Sequence, residues 1–187
     1  MREEIESAIE YLWTAAPLNL KMDEKGIKAV EEMVKALLGA KKIFLYGVGR
    51  SGLVARAFAI RLVQIGLNPF FVGESNTPMV EADSVVIILS NTGQTMSAVQ
   101  TANITRRIGA TVFAITSDSH SKLAGAASEV IIIADKVQDD EQRRTYAPLG
   151  TIFEEGSALL LDAITTVLMK RLGETEQTMR KRHAIWV

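Results

Sequence analysis

Between Lys42 and Ala134 the chain alternates short runs of branched aliphatic residues with longer stretches of helical period. No other feature limits the fold as much. Strands are expected at Ile43 to Tyr46, Pro69 to Val72, Ser84 to Leu89, Thr111 to Thr116 and Val130 to Ala134. Helices are expected at Ser51 to Ile65, at Thr95 to Ile108 and around Leu123. The strand runs are continuously apolar and rich in β-branched residues, which indicates a parallel sheet buried on both faces. The expected fold is a three-layer α/β/α domain. Its five-stranded parallel sheet should have the order 2-1-3-4-5, a flavodoxin-like arrangement.

The flanks extend this core. Ile5, Ile9 and Leu12 fall at helical spacing, and a second helix starts at Asp23, carries Ile27, Val30, Val34 and Leu37, and stops at Gly39. Pro17 and Asn19 are expected to separate the two. Residues 135–150 show no clear period and read as a loop. A long helix from about Ile152 to Leu172 is apolar almost all round between Ala158 and Met169, so burial on more than one side is expected. The tail from Glu174 to Arg182 reads as a charged helix, and the apolar end Ala184-Ile185-Trp186-Val187 should dock. The whole reads as one domain over 1–187: helices in 1–40, an α/β core in 41–135, a closing helix in 151–172 and a tail helix in 174–187.

Composition then removes whole classes of chemistry. There is no cysteine, and the histidines are His120 and His183 alone. That excludes thiol nucleophiles, redox pairs and thiolate metal sites, and leaves a histidine-rich metal site almost without ligands. Lys+Arg total 21 against 22 Asp+Glu, without the basic surplus of a nucleic-acid binder, so no nucleic-acid partner is expected. No apolar run approaches the roughly 20 residues of a membrane span, and Met1-Arg2-Glu3-Glu4 does not open a signal peptide. The chain therefore reads as a cytoplasmic protein without a membrane partner. A chain of 187 residues can bury roughly 70% of its unfolded surface and needs no disulfide or metal to fold.

In open parallel sheets ligands bind beyond the carboxyl ends of the strands, where the strand order reverses. Two loops of unusual composition occupy such ends. Gly47-Val48-Gly49-Arg50-Ser51-Gly52 follows the first strand, and Ser90-Asn91-Thr92-Gly93-Gln94-Thr95 follows the third. Each opens a helix, so free amides and the positive helix end face an anion, and glycine allows close backbone approach. Ser90, Thr92 and Thr95 add uncharged donors, which points to phosphate. An N-capped turn would account for Thr95 but not for Ser90 and Thr92 together. Gly47, Gly49 and Gly52 also satisfy the dinucleotide fingerprint, with Glu74 near the distance of a ribose-binding acid. Arg50 and Ser51 crowd the place where a pyrophosphate would approach, and that reading leaves the second loop without a role.

These residues, taken together, resemble the SIS (sugar isomerase) domain and, more narrowly, the 6-phospho-3-hexuloisomerases. The resemblance rests on Gly47 to Gly52, on Val72-Gly73-Glu74-Ser75-Asn76-Thr77-Pro78, on Ser90 to Thr95, on Pro148-Leu149-Gly150-Thr151-x-Phe153-Glu154-Glu155, and on Lys181-Arg182-His183. Thr92 stands where many SIS loops have Ser, and Ile185 where the family tail commonly has Asn. The resemblance implies the SIS fold and a homo-oligomer, usually a tetramer. It implies a cofactor-independent enzyme of the ribulose monophosphate pathway and formaldehyde metabolism, converting 3-hexulose 6-phosphate to fructose 6-phosphate. Gly49, Arg50, Ser51, Ser90, Asn91, Thr92, Gln94 and Thr95 would then bind the phosphorylated ketohexose.

Moving a carbonyl between neighbouring carbons needs a proton removed from one and returned to the other, through a cis-enediol, and a single carboxylate can do both. No metal or cofactor is required. Glu154 and Glu155 are the candidates. Thr151-x-x-Glu154 fits a capping box, which gives Glu154 a structural task and leaves Glu155 as the expected base. Asp162, two turns on in an apolar stretch, reads as a buried or inter-subunit polar contact. His120, in Asp118-Ser119-His120-Ser121, reads as a solvated loop residue. The resemblance points instead to His183, which a departing tail helix could carry to a neighbouring subunit's site for proton transfer or ring opening. Other phosphosugar aldose–ketose isomerases, and a non-catalytic sugar-phosphate sensor, remain as alternatives.

Overall fold

The computed structural model describes residues 1–20, 22–133 and 140–184. Strands β1 (Ile43–Gly47), β2 (Pro69–Phe71), β3 (Val85–Leu89), β4 (Thr111–Thr116) and β5 (Glu129–Ile132) form one parallel sheet of order β2-β1-β3-β4-β5. This is the expected order. Around it lie α1 (Arg2–Asn19), α2 (Glu24–Gly39), α3 (Gly49–Gln64), α4 (Met96–Ile108), α5 (Lys122–Ala126), α6 (Asp140–Tyr146), α7 (Thr151–Leu172) and α8 (Glu176–Lys181).

Side chains alternate across a strand, so each strand feeds two cores. Ile43, Leu45, Val85, Ile87, Leu89, Phe113 and Ile115 pack with Met33 and Leu37 of α2, Phe58 and Leu62 of α3, and Ile164 and Leu168 of α7. Phe44, Val86, Ile88, Val112 and Ala114 face the other way, onto Ala98, Val99 and Ala102 of α4 and Leu123 of α5. Each Val, Leu, Ile, Phe or Met among them contributes about 1.5–3 kcal/mol on burial. Helices α3 and α4 therefore start on opposite faces. Among the described residues, no helix is long and apolar enough to cross a membrane.

Two local expectations change. Pro17 does not end α1 but lies within its last turn. It is on the exposed side, where a carbonyl losing its intrahelical donor can turn to water. Ala15, Ala16 and Asn19 are buried on the opposite side, and the Asn19 amide donates to the Ala15 carbonyl at 2.9 Å. Packing thus overrides the proline. The presumed loop contains α6, a helix with no buried residue of its own. Asp140 pairs with Arg143 and Arg144, and Tyr146 stacks on Tyr11 of α1 at 5.6 Å. Helix α7 is buried on more than one side, against α1, α2 and α3, as expected, while Leu159, Asp162, Ala163, Thr166 and Val167 form an exposed stripe. Leu53, Ala57 and Ile60 on α3 are exposed as well, and Arg61 of α3 reaches Asp162 of α7 at 3.9 Å. The strand end at Ala134 and the apolar terminus at 185–187 lie outside the described residues.

Candidate active site

Gly47 of β1 is paired in register with Leu89 of β3, so the two candidate loops leave the sheet side by side. The chain crosses to opposite faces at this point, which makes it the switch point of the sheet. The first loop turns tightly. Gly49 has φ +59, and a Cβ on Gly52 would fall 2.5 Å from the Gly47 carbonyl oxygen. Gly52 is thereby explained by packing within the turn. Glu74, the ribose-binding candidate of the dinucleotide reading, is ion-paired with Arg56, whose guanidinium lies 3.7 Å from the Phe71 ring. That acid is already engaged.

In the second loop the Ser90 hydroxyl donates to Thr95 Oγ1 at 3.2 Å, and Thr92 Oγ1 accepts from the Gln94 amide at 3.3 Å. Thr92 and Gln94 are exposed, Asn91 and Thr95 half-buried, and Ser90 buried. Thr95 occupies the N-cap of α4, yet its hydroxyl does not cap. Val48 before α3 and Gly150 before α7 have no polar side chain with which to cap. By contrast α2, α5 and α8 are capped by Asp23, Ser121 and Thr175. The helices that open from the two loops thus have no side-chain cap on their first amides, as an anion site requires.

The start of α7 departs from the capping box. Gly150 is the N-cap, one residue earlier than expected, and the Thr151 hydroxyl donates back to the Pro148 carbonyl at 2.7 Å. Leu149 takes φ +59, alone among the described non-glycine residues, in the turn that sets this geometry. Glu154 is therefore free of capping. It is 9% exposed and meets Arg50 Nε at 3.1 Å. Arg50 also donates to Thr151 Oγ1 at 3.2 Å and reaches Glu155 at 3.4 Å. Over Gly150, the position of a Cβ would lie 3.1 Å from Asn91 Nδ2 and 3.4 Å from Glu154 Oε1. Arg50 and Ser51 of the first loop thus converge on one buried carboxylate, and Asn91 of the second borders the same Gly150 turn.

Burial lifts the Glu154 pKa above the usual 4.5, and the neighbouring negative charge of Glu155 adds to it. Arg50 and the Ser51 hydroxyl draw it back. Glu155 points outward, its side chain half-exposed. Within one protomer His183 is not brought to these loops. Arg182 beside it packs on Gly66 and donates to the Gln64 carbonyl at 3.1 Å, at the far end of α3. A helix of 16 residues spans about 24 Å. His120 is exposed after β4, its amide donating to Asp118 Oδ1 at 2.8 Å.

Thr116 and Ser117, which sequence reasoning passed over, bond the backbone of the second loop. The signal was available: a cluster of hydroxyls at the carboxyl end of β4, the same end of the sheet.

The SIS domain family matches residues 36–153. The 3-hexulose-6-phosphate isomerase of Methanocaldococcus jannaschii is 36% identical over 155 residues, covering 82% of this chain and 82% of its own. The Bacillus subtilis enzyme of the same name is 34% identical over 156 residues, covering 82% and 84%. A solved structure of a Methanococcus jannaschii protein, from which a 3-hexulose-6-phosphate isomerase function was inferred, superposes with a TM-score of 0.82 at 30% identity over 99% of both chains. Sheet order, loop chemistry and these matches agree, and the chain belongs to the SIS domain family.

Proposed function

We propose that this protein isomerises 3-hexulose 6-phosphate to fructose 6-phosphate through a cis-enediol, without a cofactor. The observation that carries the reading is one buried carboxylate, Glu154, paired with Arg50 beside two loops rich in hydroxyl and amide donors. In the reaction the base takes the proton from C2 of the 3-ketose and returns it to C3, while the hydroxyl proton passes between O2 and O3. The phosphate on C6 takes the hydroxyls of Ser90, Thr92 and Thr95 and the free amides of α4. Arg50, already between the acids, balances negative charge as the enediol forms.

Glu154 is favoured over Glu155 as the base. A base must be shielded from bulk water and poised to hold a proton briefly, and of the pair Glu154 is the one that is buried with a raised pKa. Glu155 tunes Arg50 and Glu154 by its charge.

The assembly is read as a homotetramer. The exposed apolar stripe of α3 and α7 suits a second copy, and His183, remote from its own loops, would serve a neighbour's site. Phosphorylated sugars are retained by their charge inside cells, which favours a cytoplasmic location.

The test follows solvent deuterium by NMR while the protein is incubated with fructose 6-phosphate. Exchange at C3 with formation of a 3-ketose is expected. Exchange only at C1 would indicate an aldose–ketose isomerase, and binding without exchange would indicate a sensor.

The pH dependence has a definite sign. The raised pKa means that folded Glu154 holds its proton where the unfolded chain has released it. Its contribution to stability is present below the unfolded value near 4.5 and is lost as pH rises through the folded pKa. Turnover moves the opposite way, because only the ionised carboxylate accepts a proton. The acid limb of kcat/KM should therefore show an apparent pKa above 4.5. A limb at or below that value would reject a desolvated base.

A further inference from the structure

The hydroxyl-rich loop is bolted to its neighbour strand at one atom. The Asn91 backbone carbonyl accepts from Thr116 Oγ1 at 2.9 Å, from the Ser117 amide at 2.9 Å and from the Ser117 hydroxyl at 2.8 Å. A carbonyl oxygen has two lone pairs, so three donors converging on it fix its position closely. Thr116 is fully buried, and Ser117 half-buried. Two residues on, the Gly93 carbonyl accepts from the Leu123 amide at 3.0 Å, a second tie, to the start of α5. The Asn91 side chain, meanwhile, extends to the start of α7, where a Cβ on Gly150 would lie 3.1 Å from its Nδ2 and 3.4 Å from Glu154 Oε1.

Asn91 therefore joins the hydroxyl-rich loop to the Gly150 turn that Glu154 also borders, and its backbone is set from outside the loop. We propose that Thr116 and Ser117 are positioning residues that, through the Asn91 carbonyl, fix the separation between the phosphate cradle and the Glu154 carboxylate. This rests on the isomerase reading above. In that reaction the reacting carbons lie several bonds from the anchored phosphate, so the spacing of anchor and base decides the geometry of proton transfer. A misplacement of about 1 Å can cost on the order of a hundredfold in rate. Neither hydroxyl need touch the sugar for this.

The test compares Thr116→Val combined with Ser117→Ala against Thr116→Ser, in the full-length protein. Readouts are deuterium exchange at saturating fructose 6-phosphate and the affinities for fructose 6-phosphate and inorganic phosphate by calorimetry. The double variant keeps the Ser117 amide as the remaining donor. It should lose about ten- to a hundredfold in exchange rate while its affinity for inorganic phosphate stays within about threefold. Thr116→Ser, which keeps the hydroxyl, should retain the wild-type rate. A merely structural role would lower the melting temperature but leave the rate of the folded protein unchanged, and that result overturns the proposal. A parallel loss of phosphate affinity also overturns it, since it would mean that the loop itself had collapsed. If the wild type exchanges no carbon-bound proton, the isomerase reading falls by itself. The positioning claim is then decided by the ratio of the two affinities, which should shift about tenfold against the sugar phosphate in the double variant, because only the sugar phosphate spans both groups. An unchanged ratio would reject it.

Discussion

Glu154→Gln is expected to lower turnover about a thousandfold while leaving phosphosugar binding and thermal stability intact. General acid–base catalysis by a placed carboxylate is worth about 10²–10⁴ in rate, and Gln keeps the size and hydrogen-bonding reach of Glu without its basicity. The fold should not suffer near neutral pH. Burial penalises the charge on Glu154, so the neutral amide removes a cost even as it gives up the Arg50 contact at 3.1 Å. Arg50 is half-exposed and keeps Thr151 and Glu155 as partners. Glu155→Gln should change turnover less than about tenfold, because Glu155 acts through charge at a solvated position. Were Glu155→Gln the inactive variant and Glu154→Gln active, the assignment of the base would reverse. The same preparations test the tail: subunits of Glu154→Gln mixed with subunits of His183→Ala should regain activity if His183 serves a neighbour's site. Mixtures as inactive as their parents would remove His183 from the shared chemistry.

Gly93→Ala is expected to be among the most damaging single-methyl changes in this chain, for two separable reasons. Gly93 has φ +61, a conformation that costs an L-residue about 1–2 kcal/mol. In addition, a Cβ there would overlap Ser121 Oγ and Cβ and lie 3.0 Å from Thr116 Oγ1. Neither neighbour can yield easily. Ser121 caps α5 by accepting from the Ala124 amide at 3.2 Å, and Thr116 holds the Asn91 carbonyl. Overpacking of this kind costs about 1–3 kcal/mol. Together these should lower stability by about 3 kcal/mol in denaturant unfolding and abolish phosphosugar binding. Adding Ser121→Gly should recover the part due to the clash and leave the part due to backbone conformation. A Gly93→Ala protein with normal binding would show that the loop is not held against the β4–α5 turn.

The fold was largely legible because its signals are local. Runs such as Val85 to Leu89 are continuously apolar since both sheet faces are covered, and the helical periods between them set the layers. The two glycine- and hydroxyl-rich loops were legible because those residues fall immediately after strand ends. The capping box expected at the start of α7 does not form, for a traceable reason. Thr151-x-x-Glu154 is a sound capping pattern, but Thr151 spends its hydroxyl on Pro148 and receives Arg50, which is 101 residues away in the chain. A local rule lost to partners that only folding supplies. Pro17 was misread in the same way, since burial of Ala15, Ala16 and Asn19 carries α1 past it. The short helix α6 escaped notice because it buries none of its own residues and so has no apolar period to read.

By itself the sequence determined the parallel α/β class, the positions of the strands and the two donor-rich loops at their carboxyl ends. These follow from periodicity and from residues whose preferences act within a few positions. Only the tertiary structure decided which glutamate is buried, what Arg50 pairs with, which apolar stripe of α7 is left uncovered, and that Thr116 and Ser117 anchor Asn91. Each of these depends on surfaces brought together across long stretches of chain, and a carboxylate's pKa or a hydroxyl's partner is set by those surfaces, not by its neighbours in sequence.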